Sequence, residues 1–223
     1  LFQVTLEKTL KQYQHIIWDW NGTLLDDVDC CYNTIVELME RYGLGAISRE
    51  EYLRKFRFPV TDYYRDIGFN LEVHSMEIIA QEWFAIYNKY RKDCQLFTGM
   101  KELITHLNEA NISSYILTAA HEKDVHQLLQ DYGIFPLFRY IYGLDNHQAV
   151  SKVARGRELL KHLPCSQNQI VMVGDTDHDA EVALEIGIDA ILLSGGHQEG
   201  RCYKSVAQKF QERGKRLILL PRL

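Results

Sequence analysis

The sequence predicts an α/β protein, a parallel sheet covered by helices, with an all-helical insertion after the first strand. Three observations predict it. Short apolar runs recur and stop at small or polar residues, helical periodicity fills the stretches between the later runs, and residues 28–94 break that rhythm. With 223 residues, 46% of them hydrophobic, the chain can bury a sizeable core and a smaller appendage.

The runs expected as buried strands are 15–18 before Asp19, 114–117 before Thr118, 140–142 before Gly143, 170–173 before Gly174 and 190–193 before Ser194. Helical periodicity covers 100–110, 123–132, 152–162 and 178–186. Strand and helix alternating at these lengths give right-handed βαβ units and a Rossmann-like sheet buried on both faces. Val206, Phe210 and the run 217–220 suggest a last helix and an edge strand.

In the insertion, a first helix is expected over 28–41, stopped by the glycines at 43 and 45. Ser48 with Glu51 fits a capping box for the next helix. Pro59 interrupts, Thr61 is a candidate cap for a short helix, and 72–91 reads as a long one. The expected division is a core of 1–27 and 95–223 around an inserted domain of 28–94.

Charge balance narrows the partners. Lys and Arg number 25 against 30 Asp and Glu, which disfavours a nucleic-acid groove. The five cysteines, Cys30, Cys31, Cys94, Cys165 and Cys202, have no CxxC spacing, so neither a disulfide framework nor a zinc knuckle is expected. No apolar run approaches the roughly 20 residues needed to cross a bilayer. No signal-peptide pattern precedes the first strand, so the expected compartment is the cytoplasm, although a chain beginning at Leu1 leaves the true start open.

In an open parallel sheet, ligands bind beyond the carboxyl ends of the strands. Here those ends carry Asp19, Thr118 and Asp175, two carboxylates and a hydroxyl suited to metal-assisted phosphoryl chemistry. The run from Ile16 to Leu24, containing Asp19-Trp20-Asn21-Gly22-Thr23, resembles the first motif of the haloacid dehalogenase superfamily, usually Asp-x-Asp-Gly-Thr. Ile116-Leu117-Thr118 looks like the second motif, Lys152 sits where the third places its lysine, and Gly174-Asp175 through Asp179 is similar to the acidic fourth. The helical insertion resembles the C1 cap of the phosphoglycolate phosphatase-like branch.

The resemblance implies a magnesium-dependent phosphatase acting on a small phosphorylated metabolite. Asp19 would be the nucleophile and form an aspartyl-phosphate, while its other oxygen, the backbone carbonyl of Asn21, and Asp175 hold Mg²⁺. Asp179 would reach the ion directly, through water, or by orienting Lys152. Thr118 with Ala119, and the amides from Gly22 onward, would bind phosphoryl oxygens, and Lys152 would offset their charge.

One departure matters. Asn21 stands where the family usually has the carboxylate that protonates the leaving alcohol, and an amide cannot transfer that proton. Three readings follow: a phosphatase whose substrate leaves easily or whose proton moves by another group; a phosphonoacetaldehyde hydrolase-like enzyme using Lys55 as a Schiff base; or a low-turnover protein that binds a phosphorylated ligand or a partner. Haloacid dehalogenases also lack the second Asp, but they work without metal, which Asp175 and Asp179 argue against.

The cap is expected to close over the core at hinges 25–28 and 95–99. Arg57 is its candidate contact to an anionic substrate, and its aromatics are expected to serve packing more than recognition. Oligomeric state is not readable.

Overall fold

The computed structural model describes residues 2–144, 151–163, 165–200 and 203–222. Strand β1 (His15–Trp18) follows an N-terminal helix, α1 (Phe2–Leu10), that has no counterpart in the sequence reading. Its apolar residues are few and short-spaced, but Leu6 and Leu10 are fully buried and α1 packs on the helix that precedes the second core strand.

The main sheet consists of β1, β4 (Ser113–His121), β5 (Phe138–Leu144), β6 (Ile170–Gly174), β7 (Asp189–Leu193) and β8 (Leu217–Leu220), all parallel, in the order β5-β4-β1-β6-β7-β8. Ile16, Ile17 and Trp18 are buried because β1 is central and covered on both faces, which is why its sequence is continuously apolar rather than alternating. The run 217–220 is indeed an edge strand, on β7. Covering the sheet are α6 (Met100–Glu109), α7 (Glu122–Asp131), α8 (Lys152–Leu160), α9 (Asp177–Ile186) and α10 (Lys204–Glu212). The chain runs outward from β1 through β4 and β5, then returns to β6 on the other side of β1. That reversal opens a crevice at the carboxyl ends of β1, β4 and β6.

The inserted segment leaves and returns through a two-stranded antiparallel ribbon, β2 (Leu25–Asp26) with β3 (Gln95–Leu96). Between them lie α2 (Val28–Arg41), α3 (Arg49–Lys55), α4 (Val60–Asp66) and α5 (Met76–Tyr90). Helix α2 ends as expected, with Gly43 left-handed. The Ser48 hydroxyl accepts from the Glu51 amide at the start of α3. Two expectations shift. Thr61 lies inside α4, whose cap position is Pro59, and α5 starts four residues later than the apolar pattern suggested because the Ser75 hydroxyl accepts from the Ile78 amide and fixes the start there.

Cys30, Cys31 and Cys94 are buried free thiols and Cys165 is a partly buried one; Cys202 lies outside the described residues. Among the described residues, no helix is long and apolar enough to cross a membrane.

Candidate active site

Asp19 is the first residue after β1. Its amide donates to the Val173 carbonyl at 2.8 Å, so it continues the ladder and its position is set by the central pair of strands. Register does the rest: Trp18 lies level with Ile116 on one side and Val173 on the other, which brings Thr118 and Asp175 to the same edge as Asp19. Lys152 arrives from the first turn of α8, where Ser151 accepts from the Ala154 amide as its cap.

The Lys152 ammonium donates to Asp19 Oδ1 at 2.5 Å and to Asp179 Oδ1 at 2.7 Å, with all three side chains buried. Asp179 Oδ2 accepts from the Asp175 and Thr176 amides and the Thr176 hydroxyl, at 3.2, 3.0 and 2.7 Å. Of the routes open to Asp179, the orientation of Lys152 is therefore the one made by direct contact. Asp175 accepts from the Thr23 hydroxyl at 3.0 Å and the His197 amide at 2.6 Å.

Ligand oxygens of Asp19, Asp175 and Asp179 lie within 4.8 Å of one another. An all-carboxylate set of this kind suits a hard divalent cation. Electrostatics agree: burial and mutual repulsion push Asp19 up to about 8 and Asp175 up to about 6, although Lys152 and His197 pull the other way. For Asp179 burial is outweighed by Lys152 and Thr176, and the carboxyl stays below its ordinary value. A cation among these oxygens would favour the charged forms that burial resists.

Glycines make room for this crowding. A Cβ on Gly22, already left-handed at φ +69°, would lie 2.4 Å from Asp175 Oδ2, and one on Gly174 would lie 2.4 Å from the Asp179 side chain. Any side chain at either position would displace a carboxylate of the cluster.

A cavity of about 390 Å³ stands over the cluster. Asp19, Asn21, Thr118, Ala119, Lys152, Asp175 and Asp179 all line it, so the cavity gathers seven of the ten residues singled out in the sequence. Thr118 Oγ1 accepts from the Ala120 amide at 3.0 Å, which leaves the hydroxyl proton for an acceptor in the cavity.

Three residues depart from expectation. The Gly22 amide does not face the cavity, because it donates to Asp27 Oδ1 at 2.9 Å and the Leu25 carbonyl at 3.0 Å, closing its own turn. Arg57 does not line the cavity either: Phe56 and Phe58 do, and the guanidinium between them pairs with Asp66 at 2.8 Å. Lys55 is likewise absent from the lining and pairs with Glu51 at 3.1 Å, which removes the support for a Schiff base there.

Sequence reasoning missed a second buried group. Asp27 accepts from the Asn21 carboxamide at 2.6 Å, the Tyr87 hydroxyl at 3.0 Å and the Cys31 thiol at 3.4 Å, and pairs with His197 Nε2 at 3.1 Å. His197 Nδ1 in turn meets the Tyr52 hydroxyl at 2.9 Å. Burial opposes both charges, yet each sustains the other: Asp27 stays below its ordinary value and His197 is pushed up to about 9. Tyr52 and Tyr87 belong to the inserted helices, so this hub ties the insertion to the core. The doubled Asp26-Asp27 and the Gly195-Gly196-His197 run just past a strand were the available signals.

Arg222 was also missed. It donates to the carbonyls of Gly22 at 3.1 Å and Thr23 at 2.8 Å and stacks on Phe97, and burial lowers its guanidinium to about 10.

The family model for haloacid dehalogenase-like hydrolases matches residues 16–193. This chain belongs to that family and is a hydrolase of its kind. It is 23% identical over 194 residues to a phosphoglycolate phosphatase of Synechococcus elongatus, covering 83% of this chain and 86% of the relative. It is 29% identical over 196 residues to the tyrosine-protein kinase PtkA of Mycobacterium tuberculosis, covering 82% of this chain but 63% of that one. The solved structure of PtkA superposes with a TM-score of 0.73 at 22% identity, covering 87% and 89% of the two chains. A haloacid dehalogenase-like hydrolase from Streptococcus pneumoniae gives 0.65 at 20% identity, covering 94% of each. At these identities the superpositions establish the fold.

Proposed function

We propose that this protein is a Mg²⁺-dependent phosphatase that hydrolyses a small phosphomonoester through an aspartyl-phosphate on Asp19. The observation that carries the reading is the buried Asp19–Lys152–Asp179 chain beside Asp175 at the floor of a cavity. Relatives named for phosphoglycolate hydrolysis and for tyrosine kinase activity share phosphoryl transfer as their chemistry, which supports the same reaction class here.

Asp19, Asp175 and the backbone carbonyl of Asn21 would hold the ion, which supplies charge neutralisation between nucleophile and phosphoryl group. Lys152 fixes Asp19 and balances the negative charge that a phosphoryl group adds, and Asp179 fixes Lys152. Thr118 donates its hydroxyl to a phosphoryl oxygen. Asp19 attacks phosphorus, the ester oxygen leaves with its electron pair, and water then attacks the aspartyl-phosphate to return the carboxylate and free phosphate. We read the β2–β3 ribbon as the hinge of the inserted domain, 28–94, over the core.

The test is phosphate release from p-nitrophenyl phosphate with Mg²⁺ and with excess chelator. Release that the chelator stops and Mg²⁺ restores is the expected result. Silence in both, together with retained Mg²⁺ and vanadate binding, would instead mark a ligand-binding protein.

A further inference from the structure

Resting on the phosphatase reading, we propose that the physiological ester is an aryl phosphate, the phosphomonoester of a phenol on a small aromatic molecule. Two independent features of the cavity lead there, one from its chemistry and one from its walls.

The chemical feature is Asn21. Its amide nitrogen donates to Asp27 Oδ2 at 2.6 Å and the Tyr87 hydroxyl at 3.3 Å, so the carboxamide is held with its N–H groups directed into the hub. No proton can be donated to a leaving oxygen from that position. An aliphatic alcohol, close to water in acidity, leaves poorly under those conditions, with a pKa near ~16. A phenol ionises near ~10 and can depart as phenolate. Asp19 Oδ attacks phosphorus, the P–O(aryl) bond breaks with its electron pair on the phenolate oxygen, and solvent protonates the phenolate. Water then attacks phosphorus, the P–O(Asp19) bond breaks, and orthophosphate leaves with the water's proton passed to solvent. Atoms and charge balance with water as the one co-reactant.

The second feature is the opposite wall. From the inserted helices and the segment that joins them come Phe58, Tyr63, Tyr64, Trp83, Phe84 and Tyr87. Trp83 stacks on Tyr87 at 4.7 Å between ring centroids, and Phe58 stacks on His178 of the core at 4.4 Å. Trp83, Phe58 and Phe84 are not buried, although each lines the cavity, so a ligand ring would cover apolar surface that the fold leaves uncovered. The wall offers few cations to an anionic leaving group. Lys152 is committed to Asp19 and Asp179, Arg57 is turned to Asp66, and Arg91 shares the lining with Asp124. At about 390 Å³ the cavity fits a ring-bearing ester, and a two-carbon phosphate would fill little of it.

The experiment compares kcat/KM with Mg²⁺ for 1-naphthyl phosphate, phenyl phosphate, benzyl phosphate, 2-phosphoglycolate and acetyl phosphate. Benzyl phosphate keeps the ring but has an alkyl leaving oxygen, and acetyl phosphate has a good leaving group without a ring. We expect both aryl esters to exceed benzyl phosphate and 2-phosphoglycolate by about a hundredfold, and 1-naphthyl phosphate to exceed acetyl phosphate through KM. Trp83→Ala should raise KM for 1-naphthyl phosphate about tenfold with kcat within a factor of three, and Trp83→Leu, which keeps apolar volume, should show the same loss if the first variant misfolds. Turnover of benzyl phosphate or 2-phosphoglycolate equal to the aryl esters, or an unmoved KM in both variants, overturns the aryl proposal and leaves the phosphatase reading intact. Absence of Mg²⁺-dependent turnover across the whole panel removes the phosphatase reading itself.

Discussion

The floor and the roof of the cavity are built on opposite principles. On the floor, every charged side chain has a hydrogen-bond partner: Lys152 bridges two carboxylates, Asp175 accepts from the Thr23 hydroxyl and the His197 amide, and Asp179 collects three further donors. The roof is made of rings in contact with rings, such as Trp83 on Tyr87 and Phe56 edge-on to Phe58. Polar geometry is directional and tolerates little displacement, so it belongs where strand register fixes each residue. Aromatic packing tolerates sliding, so it belongs on a helical unit attached by a two-residue ribbon.

The sharpest way to break that contrast is on the floor. Asp19→Asn should lower turnover by about 10⁴-fold or more, whichever ester is used, with an unchanged circular dichroism spectrum, because no neighbouring group can replace the nucleophile. Lys152→Met should lower kcat by roughly a hundredfold or more. In chelator it should also cost about 3 kcal/mol in urea unfolding, since Asp19 and Asp179 would then be buried without their cation. Equal stability of variant and parent would mean that Lys152 does not offset the charge of Asp19 and Asp179.

Next in size is an exchange. Asn21→Asp alone would set two carboxylates against each other, because Asn21 donates to Asp27. Combining it with Asp27→Asn preserves one donor and one acceptor and restores an acid on the leaving-group side. The double variant should raise benzyl phosphate turnover by about tenfold to a hundredfold while changing aryl esters little, measured as the ratio of their kcat/KM. The smallest effect concerns the join between floor and roof. Tyr52→Phe removes the hydroxyl that meets His197 and should cost about 1 kcal/mol in thermal unfolding, with a modest rise in KM as the roof closes less often.

The same contrast explains what could be read from residues alone. The convergence of Asp19, Lys152 and Asp175 was legible because each lies at an element boundary, two just past strand ends and one in the first turn of a capped helix, whereas Thr118, expected just past a strand, lies within β4, which runs on to His121. Strand register, a local regularity, carries them to one edge. Arg57 was not legible in the same way. Its direction depends on whether Phe56 and Phe58 or the guanidinium faces inward, and the partner that settles it, Asp66, comes from a separate helix. His197 and Asp27 stand 170 positions apart, and no local pattern signals that pairing. The N-terminal helix escaped for a related reason, since its two buried leucines join the core through a helix that packs on the distant α6.

Arg222 carries a consequence for how the protein matures. The turn after Asp19 is clasped by a side chain some 200 positions downstream. A nascent chain still on the ribosome can lay down β1, and even shape the loop around Asp19, long before that clasp exists. The turn beside Asp19 is therefore fastened only after some 200 further residues have been made, and Arg222→Ala should leave a folded sheet with that turn loosely held.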